Sequence, residues 1–210
     1  VVLDGGTLQT TQNLATAKGF DVSANGGALN TATGTTLVMG GQLGGSGALV
    51  KQGAGSLVLN GPSTFSGSID VSQGRLQVQA NLASASGIVV PNGATLGGTG
   101  NVGGGVTVLS GGRLSPGASP GTLTVAGDVL LNSGSLFDVD IDGYGQGTGA
   151  GSYDRVVITG NHTFTAAGTI TPIMRGITGA ASNTFTAQVG DVFNIVQAAD
   201  GSVTGRFDTL

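Results

Sequence analysis

An all-β solenoid is the fold that the sequence predicts, and three observations predict it. Leu8, Leu29, Leu49, Leu76, Leu96, Leu114 and Leu136 each follow a Gly- or Ala-rich strand start, mostly about 20 residues apart, a period too short for a helix pair and right for one coil of a stacked β-fold. Gly supplies 42 of the 210 residues, so no long window keeps a helical period without residues that each cost a helix interior about 1 kcal/mol. More than a quarter of the chain is Leu, Val, Ile or Phe, yet there are only seven Phe, two Tyr and no Trp. Such a chain fills a thin core of stacked aliphatic ladders, not the centre of a bulky globule. The spacing predicts about ten coils of roughly 20 residues.

Charge narrows the class of partner. Charged residues make up 9% of the chain and the formal net charge is −4. Seven scattered bases give no electrostatic footprint for nucleic acid or an anionic membrane. The chain has no Cys, which excludes a disulfide framework and thiolate metal sites. No apolar run approaches the ~20 residues of a membrane helix. Val1-Val2-Leu3 already reads as strand, with no basic segment and apolar run before it. The chain is therefore expected to be a piece of something longer.

From Val1 to about Asp142, short β-type runs alternate with Gly, Asn or Ser. Period-two alternation turns Leu57 and Leu59, Ile69 and Val71, and Leu76 and Val78 inward, with Ser, Asp, Arg and Gln facing water. Gln12 to Lys18 is a weak helix candidate, short enough to be a loop. Asn25-Gly26, Asn60-Gly61 and Asn92-Gly93 are expected corners, because Gly and Asn reach positive φ at low cost. Ser115-Pro116-Gly117-Ala118 and Ser119-Pro120-Gly121-Thr122 both spell a type II turn, two in succession. After about Gly143 the texture changes. Tyr144 to Ser152 reads as a flexible excursion, followed by longer strands at Asp154–Thr159, Val189–Gln197 and Val203–Leu210. Phe164, Phe185, Phe193 and Phe207 cluster there, predicting a bulkier core. The expected division is 1–143 as stem repeats and 144–210 as a C-terminal cap.

Motifs that suggest chemistry fail on physical grounds. Gly117-Ala118-Ser119-Pro120-Gly121 spells a nucleophile elbow, but Pro120 has no N–H for the oxyanion hole and no helix follows. His162 is the one possible imidazole base and is expected at a solvent-facing strand edge. Gly98-Thr99-Gly100-Asn101-Val102-Gly103 matches a dinucleotide fingerprint in spelling alone, with Gly104-Gly105 where a helix should begin. Asp138-Val139-Asp140-Ile141-Asp142-Gly143 copies half of an EF-hand loop but carries Gly149 at the twelfth position. Its three carboxylates are expected on one solvated strand face, with weak calcium binding beside Asp154 as the alternative. Gly44 to Leu49 places Leu49 where the calcium nonapeptide needs Asp. Asn161-His162-Thr163 is a glycosylation sequon by spelling alone. No residue is assigned a catalytic, cofactor-binding or metal role, and no cofactor is expected.

The stretch Gly53-Ala54-Gly55-Ser56-Leu57-Val58-Leu59-Asn60-Gly61 through Gly74-Arg75-Leu76-Gln77-Val78 resembles the passenger-associated β-strand repeat of bacterial autotransporters. Leu114 to Val125 is similar to that family's double Ser-Pro-Gly corner, and Ser152 to Gly160 to its next coil. Gly190 to Val196, followed by Gly205-Arg206-Phe207-Asp208, resembles the passenger end that precedes the membrane barrel. The resemblance covers Gly53 to Leu210. It implies a right-handed parallel β-helix, exported across the outer membrane by type V secretion. It further implies a non-catalytic stem at the cell surface that supports adhesion- or virulence-type display, any catalytic region lying upstream. In that family the C-terminal coils fold first, as an autochaperone, so 144–210 takes that role here. The implied partner is the protein's own C-terminal outer-membrane β-barrel, outside this chain, and then a host or neighbouring-cell surface. No nucleic acid is expected, and the chain is expected to be a monomer. Two alternatives are a β-helix polysaccharide-active enzyme or binding module, and an ice-binding solenoid suggested by Thr31, Thr33, Thr35 and Thr36.

Overall fold

In the computed structural model, which describes residues 1–118, 120–174 and 185–209, short strands wind into a right-handed parallel β-helix. Each coil visits three faces in turn. The first face is an eight-stranded parallel sheet running from Leu14–Thr16 to Thr169–Met174. The second is split between a three-stranded sheet over the first coils, ending at Leu43–Gly45, and a five-stranded sheet from Asn81–Leu82 to Val196–Ala198. The third is a nine-stranded sheet from Thr7–Thr10 to Ser202–Gly205. Every strand-to-strand ladder is parallel, as successive crossovers of one hand require. Nine strands in the longest sheet are slightly fewer than the ten coils expected.

The core is a set of ladders along the axis. On the first face Leu37, Leu57, Leu76, Leu96, Leu114 and Phe137 stand in register, each 1% exposed or less. On the third face Leu49, Ile69, Ile88, Val106, Val129 and Phe164 do the same. Burying each such side chain contributes ~1.5–3 kcal/mol, and stacked strands let neighbours share the same apolar column. The inward residues named from alternation, Leu57, Leu59, Ile69, Val71, Leu76 and Val78, are all buried.

The leucine repeat itself merges two faces. Leu8 and Leu29 are partners on the third face, but the next rung opposite Leu29 is Lys51, and Leu49 stands opposite Gly27. Leu76, Leu96 and Leu114 belong to the first face. Leu136 is half-buried on the outside of its strand, and the adjacent Phe137 takes the inward place. The spacing survives this mixing because every face repeats once per coil.

Other local expectations are corrected. Leu14–Thr16 is a strand paired with Leu37–Met39, so the weak helix at Gln12–Lys18 does not form. Gly26 and Gly93 have positive φ at their corners but Gly61 does not. A Cβ on Gly61 would lie 2.1 Å from the Gly41 carbonyl, so close approach explains that glycine. Gly117 has φ +83, as a type II turn needs, whereas Gly121 lacks the positive φ that the second type II spelling expects. Gly121 is drawn into the strand that follows, its carbonyl accepting from the Arg155 N–H. Strand is limited to Val196–Ala198 in the span Val189–Gln197, where Val189 and Val192 are exposed. The Ser119 position of the elbow spelling lies outside the described residues.

The C-terminal coils are longer. Between-coil partners in the stem are 20 residues apart at Gln79 and Thr99 and 22 at Lys51 and Gln73. The step grows to 35 between Asp128 and Thr163 and to 39 between Thr163 and Ser202. Phe164 is fully buried and packs on Phe137, whose ring also stacks on Phe207 with centroids 5.8 Å apart. Phe185, Phe193 and Phe207 are only partly buried against the core. Phe193 packs edge-on against the buried Tyr153 and stacks on Tyr144.

Candidate functional site

The concentration of charge lies where the longer coils begin. The strand Leu136–Ile141 carries Asp138 and Asp140 on its outer side, opposite Thr171 and Ile173 of the next coil. Asp138 takes the Arg113 guanidinium from the preceding coil. Its burial, with that of Asp142, corrects the solvated face expected from alternation, at 8% and 1% exposed, while Asp140 between them is half-buried; Asp154, which follows the excursion, is 1% exposed. The chain between Asp142 and Asp154 doubles back over this face. The Asp142 N–H bonds the Ser152 carbonyl at 2.8 Å and the Asp154 N–H bonds the Asp140 carbonyl at 2.8 Å. Asp142 accepts from the Gly151 N–H at 3.1 Å. The predicted flexible excursion is thus tied down at both ends.

Asp154 joins three segments. Its Oδ1 accepts the Gly121 N–H at 2.8 Å, and its Oδ2 accepts the Asp140 N–H at 3.0 Å. Gly117 makes room, since a Cβ there would stand 2.2 Å from Oδ1 and its φ of +83 already disfavours side chains. Burial pushes the Asp154 carboxyl up, to about 7, against the two N–H bonds, with Asp140 raising it further and Arg75 opposing. Arg75 comes from three coils below the Leu136–Ile141 strand, its guanidinium over Gly97, and burial lowers its pKa against attraction from Asp140, Asp154 and Asp138. Arg75, Ser115, Pro116, Gly117, Asp138, Asp140 and Ile173 line a depression of about 270 Å³.

Among the described residues, no group of three or more His, Cys, Asp or Glu side chains is arranged to hold a metal ion. The carboxylates nearest to that geometry are occupied: Asp138 by Arg113, Asp142 and Asp154 by backbone amides. His162 is part-exposed at a strand edge with Nδ1 3.5 Å from Asp128 Oδ1, the placement its sequence predicts. Thr31 is fully buried and Thr35 bonds the Ala32 carbonyl, so the local threonine run is no flat outer array.

Sequence reasoning missed Lys51. It is fully buried, and its Nζ donates to the carbonyls of Gln52, Gly53 and Gln73 at 2.8, 2.7 and 3.0 Å. The ammonium thereby pins one corner to the next coil. Burial lowers its pKa to about 8. The signal was present: Lys51 is in phase with the inward Leu49. Outside it lies a depression of about 520 Å³ lined by Asn30, Gln52, Gly53, Ser72, Gln73, Asn92 and Gly93, none of them titratable.

A Cys-free stack of parallel coils whose buried charges Lys51, Asp138, Asp142, Asp154 and Arg155 are held in structural bonds defines a β-helical scaffold. The model of the Passenger-associated-transport-repeat family matches residues 49–78, which span the coils from Leu49–Gln52 to Gly74–Val78. The chain is 32% identical over 165 residues to an extracellular serine protease of Serratia marcescens, covering 78% of this chain and 15% of that protein. It is 40% identical over 75 residues to the adhesin BmaC autotransporter of Brucella suis biovar 1 (strain 1330), covering 35% of this chain and 2% of the adhesin. The chain thus spans a small part of the relatives it matches. It is a passenger region of the autotransporter kind. The relatives support a secreted or surface-exposed location.

Proposed function

We propose that this segment is a non-catalytic stem that holds an upstream region away from the bacterial surface, and that residues 144–210 form the cap that seeds its folding during export. The observation that carries the reading is the continuity of the ladders: Leu37 to Phe137 on one face and Leu49 to Phe164 on another run unbroken into the aromatic group Phe137, Phe164 and Phe207. Each coil buries its apolar side only against neighbours, so the stack needs a first ordered coil. The last coils supply contacts of long sequence reach, such as Ser133 Oγ donating to Asp208 Oδ2 across 75 positions. A stem at the outer surface would have the protein's own membrane barrel as its first partner and host or neighbouring cells as the next. The adhesin relative supports that second contact.

Deletion of residues 144–210 tests the cap. The remaining coils should refold more slowly after dilution from denaturant and be cut faster by protease. Refolding at the full-length rate, with equal protease resistance, would refute the seeding role. Fusion of the segment between a reporter and a passenger-less autotransporter barrel tests the stem, which should place the reporter outside the cell.

A further inference from the structure

The Asp142–Asp154 excursion does more than interrupt the coil. It folds back on its own strand through the antiparallel Ile141–Tyr153 bridge, and the Gly149 N–H reaches the Pro120 carbonyl at 3.1 Å. The excursion therefore lies against Gly117, Pro120 and Gly121 of the coil below. One carboxylate, Asp154, bonds corner and strand together, and Gly117 lacks a side chain where that carboxylate sits.

We propose that the 142–154 excursion is a proton-controlled clasp, in which protonation of Asp154 holds it closed over Gly117, Pro120 and Gly121 and ionisation loosens it. An ionised Asp154 is enclosed beside Asp140 on the neighbouring strand, with Arg75 as the opposing charge from the stem. Arg113 is committed to Asp138, Asp142 to the Gly151 amide, and Arg155 to Asn194 and Gln197 on the far side. The corner itself contributes no titratable side chain. A neutral carboxyl escapes the cost of a buried charge, whereas an open excursion returns the carboxylate to water and its ordinary value near 3.8. The closed state thus binds the proton more tightly, and the ratio of closed to open falls on the order of a hundredfold between pH 5 and pH 8.5.

The chain supplies its own reporter. Its two tyrosines, Tyr144 and Tyr153, both lie in the excursion, and it has no Trp. Tyr153 is 3% exposed in the closed form and donor to neither carboxylate, its Oη accepting the Asn194 N–H. Near-ultraviolet circular dichroism and tyrosine fluorescence of the whole chain, read from pH 5 to pH 8.5, should show one transition centred within about a unit of 7. Asp154→Asn should abolish that transition, and His162→Gln should keep it, because His162 sits on another corner beside Asp128. If Asp154→Asn fails to fold, the carboxyl ¹³C shift of Asp154 in the unaltered chain should titrate together with the tyrosine signal. A flat tyrosine signal in the unaltered chain, a transition that persists in Asp154→Asn, or one lost in His162→Gln would overturn the proposal.

Discussion

Replacing Lys51 by Met isolates the energetics of a cation inside an aliphatic stack. The side chain stays unbranched and one atom shorter, and the charge and its three bonds to the Gln52, Gly53 and Gln73 carbonyls are removed. The native ammonium has its pKa lowered by burial from 10.5 to about 8. Below pH 8 the folded and unfolded chains both hold the proton, and the folded chain bears the whole cost of enclosing it. Between pH 8 and 10.5 the folded chain releases the proton while the unfolded chain retains it, so stability climbs with pH. A displacement of that size corresponds to a ceiling of about 3 kcal/mol. The carbonyl bonds favour the charged form and bring the expected rise to about 1–3 kcal/mol. Urea unfolding of both proteins at steps from pH 7 to pH 10.5 measures it, and the difference between them cancels titrations common to both. The native chain should gain on Lys51→Met across that range. A difference that stays flat, or falls, would refute the account of a costly enclosed ammonium.

Leu76→Ala should cost about 3–4 kcal/mol in thermal or urea unfolding, since Leu76 is fully buried between Leu57 and Leu96 and rigid neighbouring rungs limit collapse around the cavity. Gly45→Ala should cost about 3 kcal/mol, because φ is +96 and the new Cβ would stand 2.0 Å from the Val22 carbonyl. Phe137→Ala should cost about 3–5 kcal/mol and remove hydrogen-exchange protection from Ser202–Gly205, the strand that adjoins its partners Phe164 and Phe207. Phe193→Ala should cost about 1–2 kcal/mol, less than a fully enclosed ring, and melting curves distinguish the two.

What the sequence made legible is what the coil repeats. Leu57 and Leu59 are inward because alternation sets the face of every residue in a strand, and that rule needs no knowledge of the neighbouring coil. Lys51 obeys the same rule and was overlooked because charge was taken to mean outside, whereas three converging carbonyls at a corner accommodate an ammonium. Asp138 and Asp142 failed for a different reason. Whether an outward face meets water depends on what covers it, and the cover here is a Gly-rich segment with no periodicity of its own. Asp154 finds its partners at Gly121 and Asp140, 33 and 14 positions away, a distance over which no local pattern speaks. Val189 and Val192 looked like strand by composition, but no sheet partner reaches them and they stay exposed.

The hydrogen bonds that join one coil to the next point along the stack, from Val2–Leu3 in the first coil to Ser202–Gly205 in the last. Tension applied to the two ends of the chain therefore peels coils singly instead of shearing many bonds at once. Each stem coil that lets go frees about 20 residues, or ~70 Å of contour at about 3.5 Å per residue, while the next keeps its own core closed. A stem of this construction behaves under load as a row of small, reversible extensions, and lengthens in steps where a single globule would rupture.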